Sequence, residues 1–467
     1  MTLLHPFDLA VVVGYAAFLL YVGFRQWRRG AAGAEDYLLA GRRLTLPAFV
    51  MTLVTTWYGG ILGIGEYTYR YGIANWFVFG LPYYVAALMF ALFFAGRARR
   101  TLYRNLPDQL YGAYGQTAAR VGALIVFFMT LPAGYVLMVG VTVAIIFNIP
   151  VEIAVVIGTL LSVGYVYLGG FQSVVRTDKF QFYLMYTGFI VLLGFLWVEA
   201  GSPQAIWSLL PASHTTPTGG QSFWAILVWY FIALATLIEP TFYQRCYAAR
   251  DERTARRGVV ISVGFWLFFD LLTTLTGLYT VVLYPDLGDP VRSFPLLAQD
   301  YLPAGVRGLF WVTLLAVIMS TVDSYTFVAA VTGGRDVILG RRYTGDDSAE
   351  MRATRAALPV VALGAMAIAL YFRSVVDIWY VFGTVGTPAL LLPVITTFFP
   401  RVQFRPKGAL ANMIIAGSLA LLWEVARQSL GRDSWPLSVP AIYAGLVTSA
   451  VVWAIDHLSR RHSSSLE

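Results

Sequence analysis

Residues 57–65 read Trp-Tyr-Gly-Gly-Ile-Leu-Gly-Ile-Gly, which places four glycines in seven positions inside a long apolar run. Glycine weakens a helix interior because it loses the most backbone freedom on folding. In a membrane, open backbone is tolerated only where it lines a cavity or is buried in protein. We therefore expect a discontinuous helix here. The alternative is that the glycines only allow neighbouring helices to pack closely.

The composition places this stretch in a membrane protein. Hydrophobic residues make up 58% of the 467 residues and charged residues only 12%, whereas soluble domains carry about 25% charged residues. A soluble globular protein is excluded. Apolar runs of roughly 20 residues predict an all-α polytopic membrane protein with about thirteen transmembrane helices. These predicted spans, numbered 0 to 12, cover residues 7–26, 46–70, 76–96, 121–148, 151–169, 180–199, 223–243, 258–283, 305–332, 356–373, 377–399, 408–426 and 438–456.

A second interruption lies at residues 237–240, Leu-Ile-Glu-Pro, in span 6. Proline removes a backbone donor, and a carboxylate precedes it inside the apolar run. The two interruptions are five spans apart, as expected for a 5+5 inverted repeat with discontinuous helices 1 and 6 and a binding site at the repeat interface. A simple kink at Pro240 is the alternative. The glycines at 383 and 386 in span 10 could let this helix flex during gating or could allow close helix packing, and the two interpretations are equally favoured.

The predicted organisation follows from these spans. It comprises an N-terminal transmembrane helix (1–27), a first five-helix repeat (44–200), a second, inverted repeat (223–400), two C-terminal helices (407–457) and a tail (458–467). The last two residues can be a cloning remnant, and the final Ser-Ser-Ser-Leu-Glu is expected to be disordered.

The basic residues indicate the orientation. Of the 33 Lys and Arg residues, 27 fall on one side of the predicted spans. The positive-inside rule then places the N-terminus outside and the C-terminus inside a cytoplasmic (inner) membrane. The single cysteine, Cys246, and four histidines near the termini or in a loop disfavour redox or His-built metal chemistry.

Several motifs resemble those of the sodium:solute symporter family. Residues 169–181 read GGFQSVVRTDKFQ, and residues 319–324 on span 8 read MSTVDS, similar to that family's sodium motif. Further similar segments lie at 36–42, 62–72 and 244–258. They occur in the family's order, and the family has the same thirteen-helix topology.

The resemblance implies a sodium site between spans 1 and 8. Its ligands would be the hydroxyls of Ser320 and Thr321 and the backbone carbonyls of Leu53, Thr56 and Val317. Sodium is a hard cation that suits such oxygen ligands, and half-helix ends favour it. The alternative is that both hydroxyls bond back to carbonyls of their own helix.

The resemblance also suggests a second cation site, as in some family members. Its candidate ligands are Asp178, Ser320, Asp323 and Ser324. Asp323 lies three residues after Ser320, on nearly the same helical face. Whether it binds a second sodium, a proton or only a partner helix is left open.

The resemblance implies a solute site at mid-membrane among spans 1, 2, 3, 6, 7 and 10, where span 1 offers Thr56, Trp57 and Gly60. Glu239 and Asp270 also lie inside predicted spans. For each carboxylate, pairing with another side chain to stabilise the fold and a role in the solute pathway are equally favoured. No lysine or arginine falls in the middle of a predicted span. A neutral, zwitterionic or amine-bearing solute is therefore favoured, because an anion would lack a counter-charge.

We interpret the chain as a sodium-coupled symporter of a small polar organic solute that works by alternating access. A proton-coupled transporter and an uncoupled channel or facilitator are the alternatives, and a membrane-embedded enzyme or sensor is less favoured. The predicted partners are the solute, sodium and membrane lipid, with no nucleic acid and no obligate protein partner.

Overall fold

The computed structural model describes residues 5–31, 33–340, 346–372, 375–431 and 435–464. Twelve of the described helices are long and apolar enough to cross a membrane, which makes the protein a multi-pass membrane protein. The first five predicted spans after α1 (Pro6–Arg29, span 0) and the short α2 (Ala34–Leu39) are formed by α3 (Leu46–Trp57) with α4 (Ile61–Tyr71) in span 1, α5 (Leu81–Phe90) with α6 (Gly96–Arg100) in span 2, α7 (Leu106–Met129) with α8 (Ala133–Phe147) in span 3, and α9 (Val151–Ala200) in spans 4 and 5. After the short α10 (Pro203–Leu209), the next five spans are formed by α11 (Phe223–Ile232) with α12 (Pro240–Ala248) in span 6, α13 (Glu252–Leu283) in span 7, α15 (Val306–Val331) in span 8, α16 (Asp347–Phe372) in span 9 and α17 (Val375–Thr396) in span 10, with the short α14 (Ser293–Tyr301) between spans 7 and 8. The last two spans are α18 (Pro406–Leu430, span 11) and α19 (Ala441–Ser464, span 12).

Two of the predicted spans lie within α9. This helix has 50 residues and would be about 75 Å long if straight, more than twice the roughly 30 Å of a bilayer core. It is broken at Gly170, where φ is 59°. A side chain there would meet Tyr37, since a Cβ atom would lie 2.5 Å from that ring. The twelve helices therefore account for the thirteen predicted crossings.

The predicted interruptions of spans 1 and 6 are confirmed. In span 1, a 3₁₀ turn at Tyr58–Gly60 separates α3 from α4. In span 6, a 3₁₀ segment at Ala233–Ile238 is followed by Glu239 in an extended conformation, with φ −66° and ψ 112°. Span 3 is also broken, at residues 130–132 between α7 and α8, and the sequence analysis did not predict this break.

Span 8 lies at the centre of the helix bundle. Every residue from 310 to 324 is buried, and α15 packs against α1, α3, α8 and α9. A helix that is apolar all round needs neighbours on every side. The polar residues of its 319–324 motif therefore face protein in several directions.

Two other expectations can be compared with the fold. In span 10, a Cβ atom on Gly386 would lie 2.2 Å from Sδ of Met129, so this glycine allows close packing against span 3.

At the C-terminus, α19 continues to Ser464, so the first two serines of the expected disordered segment are helical. Residues 465–467, including the suggested cloning remnant, lie outside the described residues.

Ion pairs join the helix ends on the side that carries most basic residues, called here the arginine-rich side. Arg335 lies 3.0 Å from Asp108, 2.7 Å from Asp336 and 3.3 Å from Glu350. Glu350 also pairs with Arg104. This network, which is largely buried, ties span 3 to spans 8 and 9 on this side.

Candidate cation and solute sites

Span 1 touches span 8 at its interruption. A Cβ atom on Gly59 would lie 2.2 Å from Oγ1 of Thr321, a distance that real side chains do not reach. The Thr321 hydroxyl donates a hydrogen bond to the carbonyl of Thr56 at 2.7 Å. Glycine at position 59 thus lets the end of α3 reach the polar motif of α15.

The predicted sodium ligands lie around this contact. Ser320 Oγ donates to Oδ1 of Asp178 at 2.7 Å. Both motif hydroxyls therefore bond across helices, which disfavours the alternative that they bond only to their own helix. Leu53 and Val317 are fully buried, about one turn before Thr56 and Thr321. Buried hydroxyl and carbonyl oxygens beside one carboxylate are a donor set that suits Na⁺, so the residues present fit this ion.

Asp178 on α9 is the nearest carboxylate to these ligands. It is fully buried and accepts hydrogen bonds from Thr52 and Ser320. Nη2 of Arg245 lies 3.7 Å from its Oδ2. The carboxylate therefore joins spans 1, 5, 6 and 8 in one polar cluster.

Arg245 lies two residues beyond the predicted end of span 6, but the structure places it in the bundle interior. Its side chain is fully buried. Nη2 donates to Thr56 Oγ1 at 2.7 Å, to Ser324 Oγ at 2.6 Å and to Thr52 Oγ1 at 3.1 Å. No lysine or arginine falls in the middle of a predicted span, yet this guanidinium lies in the interior, because α12 extends beyond the predicted end of span 6 at residue 243.

Asp323 bonds to span 4 and not to the residues of this cluster. It accepts a hydrogen bond from Ser162 Oγ at 2.5 Å and another from the hydroxyl of Tyr165, both on span 4. Three residues along a helix turn the side-chain direction by about 60° from the starting face. Of the four residues predicted for a second cation site, the structure brings Asp178, Ser320 and Ser324 around one cluster and places Asp323 against the span 4 part of α9.

A cavity of about 200 Å³ lies beside the two interruptions. Two groups of aromatic rings line it. On one side, the centroids of Trp57 and Tyr83 are 5.4 Å apart. On the other, Tyr135 lies 5.2 Å from Tyr325 and 5.6 Å from Trp379, measured between centroids. Residues of spans 1, 2, 3, 6, 7, 8 and 10 line the cavity.

Gly60 makes room for the ring of Trp379. A Cβ atom at position 60 would lie 2.5 Å from Cη2 of that tryptophan. Two polar atoms in the cavity lining, Trp379 Nε1 and Thr236 Oγ1, have no hydrogen-bond partner among the described residues.

Two carboxylates line the cavity. Glu239 is half-buried and caps α12, because its Oε1 accepts from the backbone N–H of Thr241 at 3.2 Å. Asp270 is 5% exposed and accepts a hydrogen bond from the hydroxyl of Tyr84. Among the described residues that line the cavity there is no lysine, arginine or histidine. The cavity therefore has a negative or neutral polar lining.

The predicted solute residues separate into two groups. Trp57, Gly60, Glu239 and Asp270 line the cavity. The hydroxyl of Thr56 instead lies 3.0 Å from Ser324 Oγ, in the polar cluster.

The sequence analysis missed several aromatic residues of the cavity, among them Tyr325 and Trp379. Tyr325 directly follows the 319–324 motif, and Trp379 lies one turn before Gly383. Neither has a local pattern that separates a cavity residue from an ordinary core residue. Gly60 has no side chain, and span 10 contains a large aromatic residue. The combination of the two is the signal that could have identified Trp379.

The paired broken helices beside a mid-bundle cavity are the architecture of secondary active transporters with inverted repeats. A family model described as the sodium:solute symporter family matches residues 37–416. The chain belongs to this family. It is a sodium-coupled symporter of a small solute and not an enzyme, and sodium is its coupling ion.

Named relatives and solved structures agree with this placement. The sodium/pantothenate symporter of Escherichia coli (strain K12) is 25% identical over 457 residues, covering 90% of this chain and 91% of the relative. High-affinity choline transporter 1 of Drosophila melanogaster is 22% identical over 439 residues, covering 88% of this chain and 70% of the relative. The structure of a Na⁺-coupled sialic acid symporter in a substrate-bound outward-open state is similar in fold, with a TM-score of 0.81, 16% identity and coverage of 97% of this chain and 98% of that one.

Proposed function

We propose that this symporter carries a small solute with a positively charged ammonium group. The observation that supports this is the lining of the cavity, where aromatic rings surround two carboxylates and the described residues include no basic side chain. Aromatic faces attract ammonium groups, with about 2 kcal/mol or more per contact when the pair is desolvated. Several of these rings pack against one another, with centroid distances of 5.0 Å for Phe79 and Trp229, 5.2 Å for Tyr135 and Tyr325 and 5.4 Å for Trp57 and Tyr83.

The interruption of span 6 supports the same choice. The N-terminus of a half-helix can attract an anionic solute through its free N–H groups and dipole. At α12 the carboxylate of Glu239 already caps this end. An anion would meet a carboxylate here, whereas an ammonium group gains a counter-charge.

The solutes in the names of the two relatives differ in charge. One named solute among them, choline, is a quaternary ammonium ion, and another, pantothenate, carries a carboxylate. The carboxylates of this cavity favour the first kind of solute for this chain.

The proposed transport cycle uses the contact between spans 1 and 8. Sodium binds the carbonyls of Leu53, Thr56 and Val317 and the hydroxyls of Ser320 and Thr321. This links α3 to α15 and orders the adjoining cavity for the solute. We place the protein in the cytoplasmic membrane with its N-terminus outside and the arginine-rich side facing the cytoplasm.

Solute chemistry is tested by thermal unfolding of the purified protein. The probes are choline, its neutral analogue 3,3-dimethylbutan-1-ol and the carboxylate pantothenate, each with sodium or potassium. A ligand that binds only the folded state raises stability by about 2.7 kcal/mol at a hundredfold excess over its dissociation constant. We expect choline to give the largest sodium-dependent rise in melting temperature. A larger sodium-dependent rise with pantothenate would contradict the proposed solute class.

The sodium ligands are tested by Ser320→Ala and Thr321→Ala. Each removes one proposed hydroxyl ligand, so we expect the sodium concentration needed for half-maximal transport to rise about tenfold, equivalent to about 1.4 kcal/mol. The measurement is solute uptake against sodium concentration in proteoliposomes. Thr313→Ala is the matched control, because the Thr313 hydroxyl donates to carbonyls of Leu309 and Leu184 and lies outside the proposed site. Unchanged sodium dependence in both ligand variants would overturn the assignment.

A further inference from the structure

A side chain of the last two helices bonds to the lining of the cavity. None of the described residues of α18 and α19 lines the cavity itself, although both helices pack against α17. Nη1 of Arg427 on α18 donates a hydrogen bond to the hydroxyl of Tyr380 at 2.7 Å. Tyr380 lies on α17 and lines the cavity. This contact joins the cavity to a part of the chain beyond residues 37–416, which match the family model.

Partners other than Tyr380 fix the guanidinium of Arg427. Its Nε donates to the carbonyl of Leu437, in the loop between α18 and α19, at 2.8 Å. Its Nη1 also lies 3.0 Å from Oε2 of Glu424, one turn earlier on α18. Both charged side chains are buried, where charges are tolerated when they are paired and hydrogen-bonded. Arg427 is therefore a fixed point to which the Tyr380 hydroxyl is attached.

The segment of α17 that carries Tyr380 needs such support. All the residues that α17 contributes to the cavity lining lie between 378 and 383. They precede Pro388, which lies inside the helix. A proline inside a helix removes a backbone hydrogen bond and favours a kink. The angle of residues 378–383 to the rest of α17 therefore depends on contacts with other helices.

We propose that Arg427 is a positioning residue of the solute site. Its hydrogen bond holds Tyr380, and with it the cavity-lining segment of α17, in place before the solute binds. This rests on the proposed function, in which the cavity receives the solute. A side chain that is already ordered loses less entropy on binding. The C-terminal helices thus raise the affinity for the solute without touching it.

The test compares Tyr380→Phe, which removes only the hydroxyl, with Arg427→Gln in the purified full-length protein. Choline affinity is measured by sodium-dependent thermal shifts. We expect each variant to weaken choline binding about fivefold, because one side chain is no longer ordered in advance. The double variant should show no larger effect than either single variant, since both remove the same hydrogen bond. Neither side chain is a proposed sodium ligand, so binding of ²²Na⁺ should match the wild type.

Amide hydrogen exchange of residues 378–386, followed by mass spectrometry without solute, measures the position of the segment directly. We expect faster exchange in both variants, because local opening becomes easier when the attachment is lost. In the loop that contains Leu437, exchange should rise only in Arg427→Gln, since Tyr380→Phe leaves the bond from Arg427 to this loop intact.

Arg405→Gln is the matched control. Arg405 makes an ion pair between the same two helices, 2.9 Å from Asp456, at the other end of α18. This variant should keep wild-type choline affinity and wild-type exchange of residues 378–386. If Arg427→Gln lowered the melting temperature but left both measurements unchanged, Arg427 would have a structural role only and the inference would be overturned.

Two further outcomes are decisive. Arg427→Gln leaves the buried carboxylate of Glu424 without its cation and can fail to fold. Tyr380→Phe keeps this ion pair, and unchanged exchange of residues 378–386 in that variant would by itself overturn the inference. Weaker choline binding in Tyr380→Phe but not in Arg427→Gln would do the same, because the hydroxyl would then contact the solute directly. The absence of a choline shift in the wild type would instead contradict the proposed solute class, while the exchange measurement would still decide the role of Arg427.

Discussion

Gly59→Ala is expected to weaken sodium binding by at least tenfold and to destabilise the protein by about 1–3 kcal/mol, as overpacking of a close contact typically does. The added Cβ atom would lie 2.2 Å from Oγ1 and 2.4 Å from Cβ of Thr321. Spans 1 and 8 must then move apart. This separates Thr321 from the carbonyl of Thr56, two proposed sodium ligands that lie 2.7 Å apart. Equilibrium binding of ²²Na⁺ and thermal unfolding measure the two effects.

Gly63→Ala is the matched control in the same broken helix. A Cβ atom at position 63 would lie 3.5 Å from the ring of Trp379, an ordinary van der Waals distance. We expect this variant to bind sodium as the wild type does. If Gly59→Ala kept wild-type sodium affinity, the contact between spans 1 and 8 could not be part of the sodium site.

Glu239→Gln is expected to lower the affinity for choline roughly thirtyfold or more, equivalent to about 2 kcal/mol. The substitution removes the negative charge that faces the cavity. It keeps a carbonyl oxygen that can accept from the backbone of Thr241, so the cap of α12 is retained. Sodium binding should therefore persist. Choline-induced thermal shifts and ²²Na⁺ binding, measured on the same preparation, separate the two functions.

Glu66→Gln provides the corresponding control. Glu66 lies 2.9 Å from Arg70 one turn along α4, the i,i+4 pair that their spacing suggests, and is not part of the cavity lining. We expect its choline affinity to match the wild type. An unchanged affinity in Glu239→Gln as well would restrict Glu239 to capping α12.

The spans and their interruptions could be predicted because their signals are local. Apolar run length identifies a crossing, and the glycines of residues 57–65 and the proline at 240 disrupt helical bonding wherever the chain packs. The break at residues 130–132 also contains a proline. It was missed because prolines in membrane helices often produce only a kink.

The arrangement of the polar side chains could not be predicted in the same way. Arg245 lies at the end of an apolar run, where a long side chain can extend into water or into the bundle with the same sequence pattern. Asp323 and Ser320 share nearly one helical face, yet α15 is surrounded by protein and each residue meets a different neighbour. Such choices depend on contacts between residues far apart in the chain.

The fit of Trp379 against Gly60 has an evolutionary consequence. The two residues belong to different repeats, and the space for one exists because the other has no side chain. A larger residue at position 60 would displace the tryptophan, and a smaller residue at 379 would leave a void beside the glycine. A lineage that changes its solute is therefore expected to alter these two positions together, with each repeat contributing half of the change.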